Sequence, residues 1–106
     1  MEKTLKFTID GKAYTLSFTR ETVMATENMG FNLAMATERP ICSLTYLWRG
    51  AFLANHDTLT IAEADALLDK VSHKGLFDAL LDLYQAPLAS LFDEENEKNA
   101  IKWTVN

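Results

Sequence analysis

Residues 4–19, TLKFTIDGKAYTLSFT, alternate apolar and polar positions on either side of Asp10-Gly11. Period two predicts strands, and Asp-Gly suits the positive φ angles of a two-residue hairpin turn. Such a turn sets Ile9 opposite Lys12, Phe7 opposite Tyr14 and Leu5 opposite Leu16. Directly opposed residues share a face of the sheet. Leu5, Phe7, Ile9, Tyr14, Leu16 and Phe18 therefore form one apolar face, with Lys6, Thr8, Thr15 and Ser17 on the polar one. An isolated hairpin is marginal in water, so this face must pack on helices.

Beyond residue 19 the period lengthens. Thr19 is placed to cap a short helix that ends near Gly30, a residue suited to the turn after a helix. Residues 31–40 read as a loop or a brief helix closed by Pro40. From Pro40 to about Asn55, Ile41, Leu44, Leu47, Trp48, Ala51 and Phe52 recur at helical spacing. Tyr46 and Leu53 add apolar residues to the opposite side, so the helix is expected to be central. At ~1.5 Å per residue it reaches about 21 Å, short of the ~30 Å bilayer core. Thr60-Ile61-Ala62-Glu63 fits a capping box. It opens a helix with Ile61, Ala64, Leu67, Leu68 and Val71 inside and Glu63, Asp65, Asp69 and Lys70 outside.

After Gly75, residues 76–92 carry two apolar stripes. One is Leu76, Leu80, Leu83 and Leu91; the other is Phe77, Leu81, Tyr84, Leu88 and Phe92. Pro87 is expected to kink or restart this helix, because proline cannot donate to the carbonyl of Leu83. Residues 93–99 form a polar linker. Residues 100–106 alternate Ile101, Trp103 and Val105 against Lys102 and Thr104, which predicts a strand able to join the hairpin. The expected architecture is α+β, mainly α. It is one domain over residues 1–106: a hairpin at 4–19, about four helices within 20–92, the linker and the final strand.

Composition narrows the function. The chain has 106 residues, 48% of them hydrophobic, with a formal net charge of -5. That suffices for one buried core and repels phosphate backbones, although an acidic surface can mimic nucleic acid. Cys42 is the only cysteine, so no internal disulfide forms; in its apolar helix it reads as a small buried residue. The first ten residues hold no apolar segment of the secretory type, which points to the cytoplasm.

Candidate chemistry is sparse. His56-Asp57 resembles a base with an orienting carboxylate, but both His56 and His73 fall at helix ends, where a histidine interacts with the dipole. Two histidines without a cysteine pair make no zinc signature. Glu63, Asp65 and Asp69 read as a solvated face, and Arg49 beside Trp48 has no basic cluster around it. No catalytic, cofactor-binding or metal-ligating set is expected. The double stripe at 76–92 leaves two readings open. Either the helix is packed on two sides within its own domain, or its second stripe is a partner groove or self-association face.

LWRGAFLANH at 47–56, GLFDALLDLYQAPLASLF at 75–92 and NAIKWTV at 99–105 resemble, in that order, a tail assembly chaperone family of siphophages and Gram-positive prophages. The hairpin, Glu27-Asn28-Met29-Gly30-Phe31 and the Thr60-led helix resemble the same family. The resemblance implies a protein of the host cytoplasm that binds the tape measure protein, keeps it soluble and helps recruit tail tube protein. It also implies a longer form made by ribosomal frameshifting, with which Glu97-Lys98-Asn99 is compatible as an A-rich run of codons. Docking of a helix through Phe77, Leu81, Tyr84, Leu88 and Phe92 is the expected mode. The alternatives are an acidic nucleic-acid mimic and, more remotely, a small enzyme using His56 and Asp57.

Overall fold

A computed structural model describes residues 3–91. The hairpin comprises β1 (Leu5–Ile9) and β2 (Lys12–Leu16), paired antiparallel. Helices follow as α1 (Arg20–Met29), α2 (Met35–Glu38), α3 (Pro40–Phe52), α4 (Ile61–Leu68) and α5 (Leu76–Leu91). The hairpin thus packs on four helices of eight residues or more and one single turn. The polar linker expected at 93–99 and the strand expected at 100–106 lie outside the described residues.

Turn chemistry sets the hairpin register. Asp10 and Gly11 both have positive φ, 52° and 79°, and the pairs are Ile9↔Lys12, Phe7↔Tyr14 and Leu5↔Leu16. Ile9, Tyr14, Leu16 and Phe18 are buried, with Leu5 and Phe7 packed against the same core. Ser17, expected on the polar face, is buried instead. Its amide donates to the carbonyl of Ala51, and its hydroxyl accepts from the side chain of Asn55. The strand has left its partner at this point and runs against the end of α3.

Side-chain caps start two helices. Thr19 and Thr22 form a reciprocal capping box at α1, and Thr60 and Glu63 form another at α4. Each satisfies amides that the first helical turn leaves without partners. Gly30 ends α1 at φ 124°, and the single turn α2 fills the stretch before Pro40.

α3 lies at the centre, touching α1, α2, α4, α5 and β2. Leu47, Trp48 and Ala51 are fully buried. Trp48 packs at a tilt against Phe7 and edge-on against Phe52, and its indole donates to the carbonyl of Ala64 at 2.7 Å. Two stripe assignments are corrected. Ile41 is 80% exposed and Ile61 is 56% exposed. Ile41 has the phase of the buried side but stands about two turns ahead of Trp48, where α4 and the hairpin make their contacts. Ile61 opens α4 one turn ahead of Ala64, the residue that meets Trp48. Cys42 is half-buried rather than buried. The first half of α3 instead buries Ser43, whose hydroxyl donates to the carbonyl of Met35.

Candidate partner-binding face

α5 separates the two stripes of the 76–92 segment. Leu76, Leu80 and Leu83 of the first stripe are buried in the core. In the second stripe Phe77, Leu81 and Leu88 are half-buried, and Phe92 lies outside the described residues. Tyr84 departs from its stripe. It is 2% exposed, with its ring edge-on to Phe18 and Phe31 at 5.3 and 5.0 Å between centroids. Its removal from water raises the phenol pKa above the ordinary value, with a smaller push from Glu27. Tyr84 is therefore a core residue and unavailable to a partner. The reason lies in helical phase: at about 100° per residue, Tyr84 sits about 40° from Leu80, whereas Leu81 sits about 100° away.

Phe77 and Leu81 each rest one side on the core. Together with Leu88 they line the flank of α5 where the buried face gives way to exposed Asp78, Asp82 and Gln85. Asp82 forms an ion pair with Lys3, tying the middle of α5 to the residues ahead of β1.

Of the other candidate residues, the two histidines make structural contacts. His56 lies just beyond α3, where its Nε2 accepts the amide hydrogen of Thr15 at 3.0 Å and its ring leans on Tyr14 and Phe52. Neighbouring Asn55 donates to the carbonyl of Thr15. Histidine and asparagine thus occupy the outer edge of β2. Asp57 is exposed and forms no ion pair among the described residues. His73 has a ring nitrogen 2.8 Å from the carbonyl of Leu68 at the end of α4, in keeping with a helix-terminal role.

Arg49 and Asp65 make the pairing that sequence spacing misses. Arg49 Nε and Nη2 donate to the two carboxylate oxygens of Asp65 at 2.9 and 2.7 Å. The adjacent Trp48 reaches Ala64, so consecutive residues of α3 clasp consecutive residues of α4. Hydrogen bonding to Arg49 lowers the Asp65 pKa, and the same bonds raise that of Arg49. Asp65 therefore does not belong to a purely solvated acidic face. The faint signal in the sequence was an arginine beside the most apolar part of α3.

These residues belong to a chain that matches, over residues 1–106, a family described as a domain of unknown function, DUF5055. The chain is a member of the DUF5055 family. No curated protein and no solved structure matches it. For this DUF5055 chain, the half-buried flank of α5 is the leading candidate for a binding face. No helix among the described residues is long and apolar enough to cross a membrane.

Proposed function

We propose that this protein is a tail assembly chaperone that binds helical segments of the tape measure protein in the host cytoplasm and assists assembly of the tail tube. The observation that carries the reading is the flank formed by Phe77, Leu81 and Leu88, half-buried beside a fully buried core face of the same helix. A helix docks in such a flank by laying its own apolar stripe against it. The resemblance of residues 47–56, 75–92 and 99–105 to tail assembly chaperones supplies the identity of the partner. Ion pairing of Asp10, Asp65 and Asp82 to cations of the same chain favours this reading over nucleic-acid mimicry, which needs free carboxylates.

Co-expression with the tape measure protein of the same genome tests it. The wild-type chain is expected to co-purify with that protein. Leu81→Asp is expected to lose co-purification while its circular dichroism spectrum stays folded, and Leu88→Asp provides the same test one helical stretch later. Undiminished capture by both folded variants overturns the proposed face. Failure of the wild-type chain to capture the tape measure protein overturns the function.

A further inference from the structure

The hairpin has two outer edges, and they are treated differently. In a two-residue hairpin the pair flanking the turn is hydrogen-bonded, and so is every second pair after it. Ile9–Lys12, Phe7–Tyr14 and Leu5–Leu16 thus bond inward. Ala13, Thr15 and Ser17 point their backbone groups outward on the β2 side; His56 and Asn55 take up those of Thr15 and the carbonyl of Ala51 takes the Ser17 amide, so that only Ala13, beside the turn, is left without a partner among the described residues. On the β1 side the outward groups are those of Lys6 and Thr8. Among the described residues these have no hydrogen-bond partner.

A trough runs along that same edge. It is lined by Phe7, Thr8, Ile9 and Asp10 on one side and by Lys70, Val71 and Ser72 on the other. No residue of β2 lines it, which places it on the outer side of β1. Its volume of about 630 Å³ falls in the range of ligand clefts. The two faces of the strand set different demands. On the core side a newcomer meets Phe7 and Val71, both packed against the core. On the solvent side it meets Lys6, which forms no ion pair among the described residues, whereas Lys3 and Lys70 pair with Asp82 and Asp10.

We infer that the edge of β1 takes up an extended segment of a partner protein whose residues alternate between apolar and acidic. Backbone pairing to Lys6 and Thr8 supplies the attachment. Apolar residues enter the trough, and an acidic residue faces Lys6 across the new seam. A second copy of this chain is a poorer occupant, because antiparallel pairing of two β1 edges brings the unpaired Lys6 of both copies to one seam, and edge lysines oppose such self-pairing. The inference stands independently of the α5 flank and of the proposed chaperone function.

The probe is a blocked heptapeptide alternating glutamate and valine, titrated into the isotopically labelled full chain and followed by amide NMR shifts. The largest shifts are expected at Lys6 and Thr8, with slower hydrogen exchange of both amides on binding. A peptide N-methylated at alternate residues should lose binding. A lysine–valine peptide should bind about threefold more weakly, and Lys6→Glu should reverse that preference. Shifts confined to other surfaces, or undiminished binding of the N-methylated peptide, overturn the inference. So does protection of the Lys6 and Thr8 amides in the free chain, because the edge would then be filled by a second copy or by residues 92–106.

Discussion

A methyl group added at position 50 would stand 1.9 Å from the Thr26 hydroxyl oxygen and 3.1 Å from a ring carbon of Phe18. Glycine is present there because α1 and α3 cross in near contact, not because the backbone needs unusual angles. The Thr26 hydroxyl is itself committed, donating to the carbonyl of Thr22 at 2.7 Å. Alanine would gain about 1 kcal/mol in helix propensity. Against that, the helices must separate, and overpacking of this kind costs about 1–3 kcal/mol and occasionally more. Gly50→Ala is therefore expected to be destabilising in urea unfolding. The same change in a Thr26→Ala background should cost clearly less, because the obstructing oxygen is gone; equal costs in both backgrounds would refute the crossing as the cause. Nothing in the sequence marks Gly50 in this way, since the residue it must avoid lies on another helix.

At the scale of elements, local chemistry was legible and partner-dependent packing was not. Asp10-Gly11 defines the hairpin register because the turn and its two strands are contiguous in the chain. Thr19 and Thr60 reveal their helix starts for the same reason, since a cap bonds to amides two or three residues away. Which arc of α5 is buried depends instead on Phe18 and Phe31, and so Tyr84 was misplaced in the binding stripe. Ile41 and Ile61 likewise follow the correct period but lie ahead of the surface that covers their neighbours. Of the two outcomes expected at Pro87, a kink or a restart, the helix shows no restart. α5 continues through it to Leu91, so the helix tolerates a missing bond to the carbonyl of Leu83. Pro87→Ala restores that donor and is expected to raise stability by about 1 kcal/mol, less than the ~3 kcal/mol full cost of a helix-interior proline because the unfolded chain also gains freedom. A lower thermal midpoint for the variant would mean that the proline ring contributes packing that outweighs the restored bond.

Acid sensitivity belongs to the whole molecule. Hydrogen bonds from Arg49 lower the Asp65 pKa, and bonds within the Thr60 capping box lower that of Glu63. A carboxylate depressed in the folded state contributes stability above its unfolded pKa, about 3.9 for Asp and 4.3 for Glu, and that contribution is lost as pH falls through the folded value. Stability should thus hold near neutrality and decline below about pH 4. Asp65 is partly open to water, so solvent screening limits its pair with Arg49 to about 0.5–1 kcal/mol. Asp65→Asn should lose about that amount at pH 7 and show a flatter profile between pH 5 and 2, read from urea midpoints. An unchanged profile would show that Asp65 does not carry the acid response. The α3–α4 clasp was hidden in the sequence because its two residues lie on different helices, and no local pattern joins them. The candidate binding face was legible as an excess of apolar positions in 76–92, but its extent required the fold.

The central placement of α3 has a consequence for how the domain comes apart. α1 leans on Gly50, α4 hangs from Trp48 and Arg49, and the edge of β2 is fastened by Asn55 and His56 just beyond the helix. None of these neighbours can detach without opening the surface on which the others rest. Loss of α3 order therefore removes the support of the hairpin and of the flanking helices together. The described part of the chain is built to unfold in one cooperative step, with little opportunity for a half-folded form that keeps some elements and releases the rest.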